Sequence, residues 1–343
     1  MAAAMHLRPC LFAILAALAG CAALAWSAPP AARARHAWLL VANKGDQTIG
    51  FIDPGAGRMV SAVRESGFTV HELAVSPDGR TLFAPVYGSG GVGSPGTNGR
   101  AIDVIGIASR RLLRVIPLGR GLRPHCPKFG PGGLLYVSTE LDNAITIVDP
   151  ATGRIEGSIP TGQPESHMFA FAPDGRRAYT ANVGPGTVSV LDVSGRKLLA
   201  VIPVARTIQR MAVSTDGRWA FTSDQRQPRL AVIDTAAQKL DRWVALPGIG
   251  YGATPTPDGR YLLIAIMDKN AVAVLDLATM RIAHVIPVPR SPQEIVVAPD
   301  GQRAYVSCSQ SRQVAALDLA TWKVARLIAA GRGADGLAWA PAR

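Results

Sequence analysis

The feature that most constrains this chain is a repeat of 42 residues. A turn phrase, PDG or a near copy, recurs along the chain. Seven places before the Asp or Gly of successive turns stand His71, His125, His167, Gln209, Tyr251, Gln293 and Asp335. From His125 onward these positions are 42 apart. The first gap is 54, so one copy carries 54 − 42 = 12 extra residues, GSGGVGSPGTNG at 88–99. Within a copy, four short apolar runs alternate with turns, as in MFAFA, RAYTAN, TVSVLD and KLLAVIPV after His167. Their alternation and β-branched content predict strands. Asp-Gly closes the first hairpin, because Gly tolerates positive φ and the Asp side chain bonds nearby amides. A second turn follows Asp53, Asp149, Asp192, Asp234, Asp276 and Asp318, with Gly106 at that place in the first copy.

Each copy therefore reads as a four-stranded antiparallel meander, which cannot cover both of its faces alone. Seven of them packed radially give an all-β, seven-bladed β-propeller. The chain ends on a lone first strand, DGLAWA, and begins with the other three, WLLVAN, TIGFID and RMVSAV. Joined, the two termini complete the last blade and remove an open sheet edge.

The second-strand phrases LYVSTE, AYTANV, AYVSCS and LLVANK, with SPDGR before and VIDTA or VDPATG after, resemble the YVTN-type β-propeller repeat over about residues 37–341. The chain is also similar to the haem-carrying propeller of dissimilatory nitrite reductase and to its relatives in haem maturation. The resemblance implies that the first strand of each blade is innermost. The PDG and D-x-x-T-G turns then share one face, and the variable position lines the channel mouth on the other. The YVTN-type family includes binding proteins of the cell surface and periplasm, and a shared fold leaves the function open.

The expected ligand-binding ring is His71, His125, His167, Gln209, Tyr251, Gln293 and Asp335, joined by Arg123, Glu165 and Arg210. Glu72, Cys126 and Glu294 lie beside it. The loops after the second strands bring Asn43, Tyr87, Glu140, Asn182, Asp224, Asp268 and Ser309 to the same face. The insertion at 88–99 falls there too, either as a lid or as a plain surface loop. Its formal G-x-G-x-x-G leads into a strand and not a helix, which argues against a dinucleotide site. His71, His125 and His167 could share a transition metal, or one of them could ligate a non-covalent haem; the plainer alternative is a polar strand end. With no C-x-x-C-H, c-type haem is excluded. No catalytic residue is assigned. Cys126 and Cys308 fall on blades across the channel, so two unpaired thiols are expected. Strand alternation would also point Cys126 away from His125. His284, on an outer strand, reads as structural.

Residues 1–25 read as an export signal: Arg8 precedes the apolar run LFAILAALAGCAALA. Cys21 in LAGC is a candidate lipidation site, Ala23-Leu24-Ala25 offers ordinary cleavage instead, and an uncleaved anchor is the third option. A linker follows at 26–36, then the propeller at 37–341. Each option puts the fold outside the cytoplasm, in the periplasm, as an outer-membrane lipoprotein, or secreted. The net charge of +12 suits an anionic partner or simple solubility. Without an aromatic-interleaved basic patch, no nucleic-acid partner is expected, and the membrane enters only through an N-terminal lipid or anchor. The reading is a monomeric, exported binding module that takes a small ligand or a cell-envelope protein at the mouth. One alternative is a metal- or haem-dependent redox or hydrolytic protein using the same mouth. A protein-interaction scaffold is the other.

Overall fold

The second strands Leu135–Thr139 and Trp219–Ser223 are buried at every residue, and the other five at every residue but the first. Successive side chains of a strand point to opposite faces, so burial without alternation means that both faces of each sheet are covered. The computed structural model, which describes Met1 and residues 37–342, supplies the cover. The export signal beyond Met1, with Cys21, the 26–36 linker and His36 lie outside the described residues.

The described residues form seven four-stranded antiparallel sheets. Blades 1 to 6 occupy residues 74–117, 124–160, 166–203, 212–245, 250–287 and 292–329. Blade 7 joins the strand Ala334–Ala340 to the strands of 38–64. Each innermost strand touches the innermost strands of its two neighbours, and the series closes from blade 7 back to blade 1. The chain is a seven-bladed β-propeller.

The apolar core is divided accordingly into seven clusters, each between consecutive blades. One strand feeds two of them. Leu39 and Val41 pack towards blade 6, while Leu40 and Ala42 pack towards blade 1. The outer strands contribute little. In each of the seven, the penultimate residue (Val63, Ile116, Ile159, Ile202, Val244, Ile286 or Ile328) is the buried apolar anchor. Six of them begin with an exposed Arg or Lys, which blunts the edge against pairing with another sheet.

The turns follow the expected chemistry. Gly217 and Gly301 of the PDG-like turns have φ of 72° and 67°. Asp276 and Asp318 each accept two backbone amides at 2.8–3.0 Å, and these bonds hold their carboxyls below the usual range.

Closure of the ring makes the C-terminal strand part of the core. Leu337 is 5% exposed between blades 6 and 7, so Leu337→Ala should cost about 2–4 kcal/mol in urea unfolding. A loss below about 0.5 kcal/mol, typical of a frayed terminus, would contradict the closure. Glu65, between blades 7 and 1, accepts the Val70 amide at 2.9 Å through Oε2, while Oε1 has no partner. Burial pushes its pKa up to about 8 from 4.5. Between those values the folded protein keeps a proton that the unfolded chain releases, so stability falls as pH rises. Glu65→Gln should flatten the decline in Tm between pH 5 and pH 8; an unchanged slope would refute this.

Candidate functional site

At the face opposite the PDG turns, every blade carries a bulge in its innermost strand. In blade 3, Ser166 pairs with Asn182 and Phe169 with Thr180, so His167 and Met168 together oppose Ala181. The same offset recurs in blades 2, 5, 6 and 7 and, through isolated bridges, in blades 1 and 4. The bulged pair always begins at the variable position. Opposite it stand small residues: Pro85, Ser138, Ala181, Ser223, Ala265, Ser307 and Ala42. Ser138 and Ser307 accept the freed amides of Cys126 and Glu294 at 2.9 and 3.1 Å. Bulges re-aim side chains. In blades 1, 4 and 6 the successor thus reaches the axis, which places Arg210, Glu72 and Glu294 beside Asp335.

Two layers result. In the first, His71, His125 and His167 meet Tyr87 in a cluster of four rings. The His125 and His167 centroids are 3.6 Å apart, and Tyr87 lies 5.0, 5.2 and 6.1 Å from the three imidazoles. The insertion covers this cluster. Arg123 donates to the carbonyls of Ser94 and Gly91 and to Asn98 at 2.7–3.2 Å. Glu140 accepts the Gly93 amide at 3.1 Å and also the Tyr87 hydroxyl. Glu165 sits against Gly93 and Gly184. Arg123 and Glu165 therefore hold the insertion and do not reach the axis. His125 and His167 are only 1% and 3% exposed. The mouth is sealed over His125 and His167, while His71, Gln209 and Tyr251 stay partly exposed.

In the second layer Arg210, 5% exposed, faces three carboxylates. Its Nη1 lies 2.7 Å from Glu72 Oε1, outside hydrogen-bond geometry, and donates to Glu294. Its Nη2 is 3.3 Å from Asp335. Lys44 Nζ reaches Asp335 at 2.9 Å. Tyr251 lies under the guanidinium at 4.7 Å. Burial pushes Glu72 up to about 8. Asp335 is also buried, yet Lys44 and Arg210 hold it below the usual carboxylate range. His71 touches both layers: Nε2 is 3.2 Å from Thr69 Oγ1 and Nδ1 is 3.6 Å from Asp335. Gln293 turns aside to Ser291 Oγ at 2.9 Å. The half-buried Gln209 has no side-chain partner among the described residues. Lys44 went unnoticed in the sequence because it follows the second strand and lies outside the ring position.

Chemically the site accepts and holds. Burial lowers His71 to about 4 and lowers His125 and His167 well below 6.5, so all three rings are neutral at physiological pH. His125 Nδ1 and Nε2 and His167 Nδ1 have no hydrogen-bond partner. The stacked imidazoles do not converge on an ion. Among the described residues, no group of three or more His, Cys, Asp or Glu is placed to hold a metal. With His125 and His167 buried, neither ring presents an open face to a haem macrocycle. Burial raises the Cys126 thiol and pushes Cys308 up to about 12, and both cysteines are free. The alternation argument against a Cys126–His125 pair needs correction, since the bulge interrupts alternation there. Cys126 is diverted by its packing, which directs Sγ to the Phe169 carbonyl at 3.7 Å. His284 stacks on Trp322 at 5.1 Å, a structural contact.

Comparison with known proteins agrees with the fold. A family model described as YNCE-like beta-propeller matches residues 244–341, which span blades 5 and 6 and the closing strand. No curated protein matches the chain. The Kuenenia stuttgartiensis hydrazine synthase structure is similar with a TM-score of 0.69 and 20% identity, covering 82% of this chain and 92% of that one. At that identity the likeness speaks for architecture alone. The chain is a seven-bladed β-propeller, and its blades 5 and 6 with the closing strand match the YNCE-like β-propeller family.

Proposed function

We propose that the protein is an exported binding module, without chemistry of its own, that holds a small polar molecule on His125 and His167 beneath the insertion. The observation that carries this reading is the three unpartnered imidazole nitrogens on those two buried rings. A buried polar atom left unpaired costs about 1–3 kcal/mol. Three in one place favour an occupant that both donates and accepts hydrogen bonds, because neutral His125 carries one N–H donor and one acceptor nitrogen, both unpartnered. Such burial suits a small molecule better than the surface of a protein partner. The absence of a thiolate, and carboxylates already engaged by Arg210 and Lys44, favour binding over catalysis. The N-terminal segment supports a location in the periplasm, at the outer membrane through Cys21, or in the medium. The cation-flanked outer strands support a monomer.

On this reading the insertion is a lid latched by Arg123. Arg123→Gln removes the bonds to Ser94, Gly91 and Asn98 and should speed proteolytic cleavage within 88–99 about tenfold, with unchanged circular dichroism. An unchanged cleavage rate would show that Arg123 is not the latch.

Native mass spectrometry, absorbance and metal analysis of one preparation test the occupant. The expected result is a small molecule retained by the wild type and lost from the His125→Ala/His167→Ala variant. A ligand-free wild type, together with a higher Tm for His125→Phe, would reduce the cluster to a structural plug. One equivalent of transition metal lost with the imidazoles would replace this reading with a metal site.

A further inference from the structure

Beyond the Arg210 layer the axis is hollow. A cavity of about 480 Å³ is lined by the innermost strands of blades 1 to 6. Its far rim, formed by Val75, Phe129, Phe171, Val213 and Pro255, stands two residues before each PDG-like turn. It therefore belongs to the end of the channel away from the histidines, none of which lines it. Its volume falls within the usual range for small-molecule sites, about 300–1,000 Å³.

The lining is two-sided. Phe129, Met168, Phe171 and Met211 supply apolar wall, and Lys128, Arg210 and Glu294 supply charge. The carboxylate is already engaged, since Glu294 accepts from Arg210. The donors are not. Arg210 is 5% exposed, yet its Nε–H has no partner. Lys128 makes no side-chain hydrogen bond or ion pair among the described residues, although its charge acts on Glu72 and Glu294. Both groups only donate hydrogen bonds, and the one carboxylate of the lining, Glu294, is paired with Arg210 Nη1, so these two donors call for an acceptor from a ligand. A neutral acceptor would leave Lys128 without a direct ion pair. An anionic one serves both, and charge-assisted bonds are roughly twice as strong as neutral ones.

We propose that this cavity is a second binding site, for a small amphiphilic carboxylate. Its acid group sits on Lys128 and the Arg210 Nε–H, and its hydrocarbon or aromatic body lies along Met211, Met168, Phe129 and Phe171. The site is separate from the histidine end and stands whether or not that end holds a ligand.

Isothermal titration with octanoate, and with octan-1-ol as the uncharged control, tests it. Octanoate should bind one to one, and octan-1-ol at least tenfold more weakly. Lys128→Gln should weaken octanoate about tenfold and leave octan-1-ol unchanged, and Lys128→Glu should abolish octanoate binding. Lys128 is only partly buried on an inner-strand wall, so these variants keep the fold, which an unshifted Tm would verify. The His125→Ala/His167→Ala variant should bind octanoate as the wild type does, which separates this site from the other. No octanoate binding at millimolar concentration, equal affinity for acid and alcohol, or an unaltered Lys128→Gln would overturn the proposal.

Discussion

Everything in this structure depends on each blade having both faces buried by its neighbours. A four-stranded sheet with apolar side chains on both sides has no stable solution alone, and stacking in a line would leave two faces wet. Bending the stack into a ring removes both. The seven interblade clusters, from the one around Leu40 and Leu82 to the one around Tyr305 and Leu337, are the physical expression of that closure. Burial is concentrated in the second and third strands, and outer strands such as Arg281–Pro287 keep one buried anchor each. The rim is therefore free to carry charge.

The same closure makes the axis chemically unusual. Seven innermost strands converge where side chains from different blades must share a narrow space, and the bulge found at the same place in every blade lets second residues such as Glu72, Arg210 and Glu294 enter it. Polar and charged groups that would be solvated elsewhere are forced together. Arg210 answers Glu72, Glu294 and Asp335, and Lys44 supplies the second cation. Such a network is costly to desolvate and costly to break, so it is weak evidence for stability. It does divide the channel into a histidine end under the insertion and a hollow end lined by methionine and phenylalanine. The unsatisfied groups differ in kind on the two sides: neutral imidazoles on His125 and His167, which offer both a donor and an acceptor, and cationic donors on Arg210 and Lys128.

Much of the fold was legible because the repeat states it seven times. Strand limits, turn residues and closure by DGLAWA follow from period and alternation, and the grouping of His71, His125 and His167 followed from phase. The bulge was not read, although the small residue opposite it, Ser138 or Ala181 or Ser307, recurs in every copy. Alternation alone predicts that neighbours diverge, and nothing local marks the extra residue. The partners of Arg123 and Glu165 were equally hidden. Both lie next to the ring in sequence, but the insertion folds back and engages them, and no periodic argument reaches a segment that occurs once.

By itself, then, the sequence determined which residues share a blade position and hence which end of the ring they occupy, because a repeat in phase needs only counting. Tertiary structure alone decided which of those residues meet, which are sealed and which line open space. Those outcomes depend on distances across the axis between chain segments as far apart as Arg210 and Asp335, on one irregular loop, and on competition for a shared volume. A one-dimensional pattern encodes none of these.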